Sequence, residues 1–338
     1  MGEYNLTISV IIPTYNRVDC ICRNLGAIAL QDPAVAQVVI VDASPGDETE
    51  RVVRSAVEAG LPYGVVYRRN PGGRGNTPNS RNKALLESTG EIIAFLDDDA
   101  FPRAGWSAAL LASFADPSVA GVAGRAMNGI PHEDLIVIDD IGRLRPDGTM
   151  SGNFNSNPGR CVDVDHMIGC NMSLRASLIG ELGGFKDDFR AGPFGICEET
   201  EICIRARKLG YRLVFNPDAV ADHIGAPQPG GRRFSPKYSY YHTKNNLVMI
   251  IRNYAVGVMT LRYPLTIVTV SVLGFLRKIA GAMAHLCCTM AGLVAGMCSG
   301  MYWLLKTGRD PVRRDEKGEA IRNKLNQLVE EQEAAETK

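Results

Sequence analysis

Ile92-Ile93-Ala94-Phe95-Leu96, running straight into Asp97-Asp98-Asp99, is the stretch on which the fold turns. Five apolar residues in a row read as a buried strand. Three adjacent carboxylates repel one another unless a cation or solvent separates them, so this strand must end at a polar edge. The same pattern recurs on the N-terminal side. Residues 8–12 form an apolar run closed by Pro13 and followed by Thr14-Tyr15-Asn16-Arg17. Residues 38–41 form another, closed by Asp42-Ala43-Ser44-Pro45-Gly46. Residues 65–67 give a third, shorter strand. Between the strands, 19–29 reads as a helix with Ile21, Leu25 and Ile28 on one face, 48–58 is helix-compatible, and 79–88 suggests a helix stopped by Gly90. Strand and helix alternating at this spacing predict an α/β chain with a parallel sheet and right-handed crossovers. Ligands of such sheets collect at the carboxyl ends of the strands, where three polar clusters should share one edge.

Charge divides the chain further. Lys and Arg number 37, as do Asp and Glu, so the formal net charge is zero. Residues 1–222 carry 21 basic and 29 acidic side chains, 223–309 carry 10 basic and no acidic ones, and 310–338 carry 6 and 8. Composition is that of a globular chain and excludes a disordered or collagen-like one. Nine Cys without C-x-x-C spacing argue against zinc and a disulfide scaffold, and fit reduced thiols in the cytosol. Residues 1–10 lack a basic stretch followed by an apolar run, so no secretory signal is expected, and the sequons at Asn5 and Asn171 are read as chance.

Four features have chemical potential, each with an ordinary alternative. Asp97 to Asp99 suit Mg²⁺ or Mn²⁺ through oxygen ligands, or form a solvated turn. Pro71-Gly72-Gly73-Arg74-Gly75 with Arg81 suits phosphate, or is a plain loop; it is neither a P-loop nor a dinucleotide fingerprint. Glu198-Glu199 opens a helix running to 209, before which residues 192–195 form a turn; the pair either complements the helix dipole or supplies a general base. His223 is a structural group or a third metal ligand. Residues 143–160, rich in Gly, Asn, Pro and Ser, read as a loop.

Together these segments resemble a family. Ser9-Val10-Ile11-Ile12-Pro13-Thr14-Tyr15-Asn16-Arg17, Val39-Ile40-Val41-Asp42-Ala43-Ser44, Ser80-Arg81-Asn82 and Phe95-Leu96-Asp97-Asp98-Asp99 occur in the order of a family 2 glycosyltransferase of the GT-A fold. Gly169-Cys170-Asn171-Met172-Ser173-Leu174-Arg175, Gly183-Gly184-Phe185 and Glu198 to Arg205 continue the match, followed by Gly210-Tyr211-Arg212 and by Pro217-Asp218-Ala219 ahead of His223.

The resemblance implies a nucleotide-diphosphate sugar donor, a hydroxyl acceptor and a Mg²⁺ or Mn²⁺ cofactor. It implies that Pro13, Thr14 and Tyr15 line the base and ribose, with Arg17 and Arg81 near the phosphates. Asp42 would accept from the base beside Ser44, and Asp97 and Asp98 would complete the nucleotide site. The metal would sit on Asp97, Asp99 and His223. Gly169, Cys170, Asn171 and Arg205 are expected on the acceptor side. Glu199 falls where the family has the Asp of a Glu-Asp pair, so either Glu198 or Glu199 serves as base. Processive members carry Gln-x-x-Arg-Trp; here Gln228 leads to Arg232-Arg233 without Trp, so one sugar is expected to be added. Two other classes stay open: a nucleotide-sugar-binding protein without turnover, and a sugar nucleotidyltransferase, whose Gly-rich, Lys-bearing N-terminal signature is missing.

The expected division is a catalytic domain over 1–225 (nucleotide-sugar half to about 100), a linker and acceptor-side segment over 226–252, and a helical segment over 253–338. In the last, 263–276 and 279–305 are uncharged runs of 14 and 27 residues with His285 neutral. The second exceeds the ~20 residues a bilayer needs, yet Gly, Ser and Thr interrupt it. Basic side chains beside apolar runs suit anionic lipid, so the segment is expected to lie on the inner face of the cell membrane, where a lipid-linked acceptor would be within reach. No nucleic-acid partner is expected. Ile321, Leu325 and Leu328 at helical spacing offer a homo-oligomer contact or belong to a frayed end.

Overall fold

The computed structural model describes residues 6–73, 75–191, 194–225, 235–254, 257–276, 282–307 and 310–336. Arg74, the Gly192-Pro193 part of the expected turn, and the 226–231 linker with Gln228 and Arg232-Arg233 lie outside the described residues. In chain order the elements are β1 (Ile8–Thr14), α1 (Val18–Ala29), β2 (Gln37–Asp42), α2 (Glu48–Glu58), β3 (Gly64–Arg69), α3 (Thr77–Leu85), β4 (Ile92–Leu96), β5 (Ala100–Pro102), α4 (Trp106–Phe114), β6 (Val119–Met127), β7 (Val162–Asp163), β8 (Asn171–Arg175), α5 (Ala176–Leu182), β9 (Arg190–Ala191), β10 (Phe194–Gly195), α6 (Glu198–Lys208), β11 (Arg212–His223), α7 (Pro236–Tyr254), α8 (Val258–Leu276), α9 (Ala282–Thr307) and α10 (Glu316–Glu336).

The main sheet runs β3-β2-β1-β4-β8-β6-β11-β5, with β7 also on β11. β3, β2, β1 and β4 are parallel to their neighbours, as the alternating pattern requires, and β8 then pairs antiparallel with both β4 and β6. β2 and β4 are buried along their whole length, which is why their sequences are continuous apolar runs rather than alternating ones. Ile11, Val39 and Phe95 pack toward α3 and α5 on one face of the sheet; Val10, Val38 and Ala94 pack with residues of α1 and α4 on the other. The parallel register Thr14↔Asp42 sets the ends of β1 and β2 side by side, and β4 ends next to β1, so the three polar clusters do share one edge.

The C-terminal third forms a second layer of helices. Gly292, Gly296 and Gly300 on α9 let α7 approach: a Cβ on them would lie 2.6 Å from Tyr240 O, 2.8 Å from Lys244 O and 2.8 Å from the Ile251 side chain. Leu247, Ile250, Ile251, Tyr263 and Leu293 join Phe189, Ile196 and Ile204 in a core shared with the catalytic layer.

The tail corrects the expectation of an oligomer contact or a frayed end. Ile321, Leu325 and Leu328 are buried in the main core against α5. Gly183 ends α5 in the left-handed region, at φ 70°. Both it and Gly184 leave room for the tail, since Cβ atoms there would stand 2.6 Å from Arg313 O and from Ile321 Cδ1. The Gly183-Gly184-Phe185 segment is thus a helix stop and a socket for α10.

Candidate active site

One cleft of about 610 Å³ gathers the ends of β1 and β4, the turn before α6, the 148–152 loop, and α7 and α8. Pro13, Thr14, Tyr15, Arg17, Arg81, Asp97, Asp98, Asp99, Gly169, Cys170, Glu198, Glu199 and His223 all line it. Of the expected site residues, the structure brings these thirteen together and leaves four outside.

The aspartates divide by environment. Asp98 is buried, accepts from Thr14 Oγ1 at 2.8 Å and Arg17 Nη1 at 2.5 Å, and its backbone carbonyl accepts from Asn24 Nδ2 at 2.8 Å. Burial pushes its carboxyl up to about 6 although Arg17 opposes the shift. Asp98 therefore braces the turn and holds Arg17. Asp97, Asp99 and His223 offer ligand atoms within 4.8 Å of one another, and Arg17 also reaches Asp99 at 3.0 Å. β11 brings His223 here because its last residues pair antiparallel with β5, His223 opposite Ala100. Two carboxylates and one imidazole make a hard, mainly oxygen donor set, which suits Mn²⁺ or Mg²⁺ better than a thiophilic metal.

Arg81 was expected near the phosphates, yet it is 1% exposed and held. It donates to Gly169 O at 2.8 Å, Glu198 Oε1 at 3.3 Å and Asp97 Oδ1 at 3.5 Å, and lies 5.6 Å from the ring centroids of Phe95 and Phe185. It ties the aspartate turn to the start of α6 rather than reaching into open space.

Glu198 and Glu199 have different surroundings. Glu198 is buried; its Oε2 meets no donor among the described residues, and its carboxyl lies within hydrogen-bond reach of Glu199. Burial, then the charge of Glu199, pushes Glu198 well above the usual carboxylate range, with Arg81 opposing. A proton retained on Glu198 gives that orphaned oxygen a bond to make. Glu199 is half-buried on the cleft wall. Cys197, which caps α6, holds φ at 71°, a left-handed conformation costly for a residue other than Gly and one that sets the direction in which the pair enters the cleft.

Four expectations are corrected. Asn171 is fully buried, donates to Arg125 O at 3.0 Å and Ala219 O at 2.9 Å, and accepts from Trp106 Nε1 at 2.9 Å; it locks strands together and does not line the cleft. Arg205, also fully buried, pairs with Glu201 at 2.8 Å and donates to the carbonyls of Leu182, Gly184 and Pro311, joining α6, α5 and the chain leading to α10. Asp42 accepts from the Ser44 amide at 2.7 Å, the Ser44 hydroxyl and Tyr67 Oη at 2.7 Å, while Ser44 Oγ accepts from Asn16 N at 2.8 Å. Both are enclosed, and only Ala43 between them lines the cleft. The cleft also holds residues the sequence reading missed: Tyr238, His242, Asn246, Tyr263 and Ile267, along with His166 and the 148–152 loop. The four-residue spacing of Tyr238, His242 and Asn246 is a signal that could have found the first three.

Comparison with known proteins gives the family and the fold. The model for Glycosyl transferase family 2 matches residues 9–183. The pre-mycofactocin glycosyltransferase of Mycobacterium tuberculosis is 26% identical over 222 residues, covering 66% of this chain and 43% of that protein. The chain spans about half the length of the relatives it first matches. A mannosyltransferase from Pyrobaculum calidifontis, solved with GDP-Man and Mn²⁺, superposes with a TM-score of 0.52 at 21% identity over 98% of this chain and 88% of that one. GalNAc-T7, solved with UDP, GalNAc and Mn²⁺, gives 0.61 at 18% over 82% and 55%. These two likenesses concern the fold, and they agree with the GT-A architecture that the sequence motifs imply. With the family model covering more than half of its residues, the chain belongs to glycosyl transferase family 2.

Proposed function

We propose that this protein is a metal-dependent glycosyltransferase moving one sugar from a nucleotide-diphosphate sugar to an acceptor hydroxyl, with inversion, at the cytoplasmic face of the cell membrane. The observation that carries the reading is the cleft itself, which places the Asp97, Asp99 and His223 cluster and the Glu198-Glu199 pair on one cavity wall system. Asp97, Asp99 and His223 would hold Mn²⁺ or Mg²⁺, which when bound neutralises charge on the donor diphosphate. Pro13, Thr14 and Tyr15 line the nucleotide end, and Arg17, fixed by Asp98 and Asp99, adds a cation there. Glu199 accepts the proton of the acceptor hydroxyl. The freed oxygen bonds to the anomeric carbon while the bond from that carbon to the diphosphate oxygen breaks, which inverts the centre. Glu198, protonated and tethered to Arg81, keeps a second negative charge away from Glu199 and orients it.

Membrane association is supported by the helical layer. α9 is long and apolar enough to cross a bilayer, over 284–306. Its inner face is occupied by α7, whereas Met290, Val294, Met297 and Leu305 on α9 and Leu261 and Leu265 on α8 are exposed, in a stretch without acidic residues. Such a face suits lying on anionic lipid, which would bring a lipid-linked acceptor within reach. The experiment is product analysis: with a turned-over donor and Mn²⁺, the anomeric coupling constant of the new linkage should be opposite in configuration to the donor. Retention would remove the single-displacement step.

A further inference from the structure

Residues 142–152 form a hairpin that joins the catalytic layer to the helical layer. Arg145 N donates to Thr149 O at 2.8 Å, Gly148 N to Arg145 O at 2.9 Å and Ser151 N to Arg143 O at 2.9 Å, with Leu144 paired to Met150. Its base is fastened to the segment between β7 and β8. Leu144 N donates to Asp165 Oδ2 at 2.8 Å, and His166 Nε2 donates to Ser151 O at 2.9 Å, since a carbonyl can only accept. Its tip is seated on α7 and α8. Asp147 accepts from Thr266 Oγ1 at 3.4 Å. Gly148, at φ 82°, lies so close that a Cβ there would stand 2.7 Å from Ile250 Cδ1 and 3.0 Å from Tyr263 Cβ. Gly148 to Gly152 also line the cleft, so one hairpin is both cleft wall and helix contact.

α8 faces two ways. Tyr263 and Ile267 line the cleft and Thr266 holds the hairpin tip, whereas Leu261, Leu265 and Val272 face outward, the two leucines 68% and 69% exposed. These three repeat at helical spacing beside the exposed Arg262. Pro264 lies between the two sets and has no amide to bond the Thr260 carbonyl, so α8 lacks a ladder bond at the level of the hairpin tip. A helix with that gap and two exposed leucines gains order when its outer face is covered. The occupant that fits is an anionic lipid surface, because the 223–309 segment has ten basic side chains and no acidic one.

The same short stretch of α8 carries both contacts, and this links them. Lipid that holds α8 in place favours the seated tip, and a seated tip favours the arrangement of α8 that meets lipid. We propose that the 142–152 hairpin is a strap through which contact of α8 with an anionic lipid surface fixes the wall of the cleft. This rests on the membrane-side reading of the helical layer and adds a regulation to it: the cleft wall is firm at the membrane and loosened away from it.

The test is hydrogen exchange of the full chain, read on peptides covering 142–152. It is run without lipid, with phosphatidylcholine vesicles, and with vesicles that also contain phosphatidylserine. The phosphatidylserine vesicles should slow exchange of the Arg145, Gly148 and Ser151 amides by about 2–10-fold, the worth of one hydrogen bond to a local opening. Phosphatidylcholine alone should not. Gly148→Ala forces a Cβ into the seat, and Thr266→Val removes the hydroxyl beside Asp147 while keeping the side chain's shape. Each should reduce the slowing and, because coupling is reciprocal, weaken binding to the phosphatidylserine vesicles, with Gly148→Ala the larger in both. Vesicles bound with the hairpin amides unchanged, or slowing that persists in full in both variants, overturns the strap and leaves membrane association standing. No vesicle binding by wild type removes the lipid partner and overturns the strap and the membrane reading together. Slowing as expected, with no Mn²⁺-dependent thermal shift by any nucleotide sugar, supports the strap and overturns the transfer reading alone.

Discussion

Glu198 and Glu199 are adjacent and chemically identical, and only their surroundings separate them, so exchanging each for Gln tests the proposed division of labour. Glu199→Gln keeps the shape but cannot take a proton. A positioned general base contributes roughly 10²–10⁴-fold, or about 3–5 kcal/mol of barrier, and that is the expected fall in transfer rate. Nucleotide-sugar binding should be retained, because the donor end of the cleft is untouched. Glu198→Gln should cost less than about tenfold. The amide oxygen can still accept from Arg81 Nη1, now 3.3 Å from Glu198 Oε1, and the amide NH₂ replaces the retained proton facing Glu199. The same pair gives a pH signature in stability. Glu198 has its folded-state pKa raised from an unfolded value near 4.5, so above that pH the folded protein holds a proton that the unfolded chain has lost. Stability from this group is then lost as pH rises from the unfolded pKa toward the raised one. Glu198→Gln should therefore gain stability relative to wild type as pH increases through that window, read as the difference in urea midpoint. Steady-state rates with single-turnover controls, and denaturation at three pH values, measure both effects. Equal rate losses in the two variants, or a larger loss in Glu198→Gln, would refute the assignment of Glu199 as base.

Two further outcomes follow from the packing. Leu325→Ala on α10 should destabilise the protein by about 2–5 kcal/mol in urea denaturation, since Leu325 is fully buried in the main core; a change under about 0.5 kcal/mol would mean α10 does not dock there. Val294→Asp, on the exposed face of α9, should reduce co-sedimentation with phosphatidylserine-containing vesicles while leaving urea stability near wild type; undiminished vesicle binding would remove that face from the membrane contact.

What could be read in the sequence, and what could not, follows from how far each signal depends on distant parts of the chain. The strands at 8–12, 38–41 and 92–96 and the acidic edge after Leu96 were legible because β-branched runs and punctuating polar residues are local. So was the gathering of Asp97, Asp99 and His223, which the motif order implied. Asn171, Arg205, Asp42 and Ser44 sit in equally regular motifs, yet their side chains brace the scaffold: a motif shows that a polar group is needed, not whether it faces the cleft or a neighbouring strand. The tail stripe of Ile321, Leu325 and Leu328 was visible, but its partner, the Gly183-Gly184 socket, lies more than a hundred residues away. Charge counting drew attention to lipid in the 223–309 segment and away from the Tyr238, His242, Asn246 row on its first helix.

Asp97, Asp99 and His223 should make nucleotide-sugar binding depend on a divalent ion. Thermal shift of the full chain against a panel of nucleotide-diphosphate sugars, with Mn²⁺ and with EDTA, tests it most directly, alongside Asp99→Asn. At least one donor should give a shift that needs Mn²⁺ and is lost in Asp99→Asn. A donor shift of the same size in EDTA, or one that survives in Asp99→Asn, would contradict it.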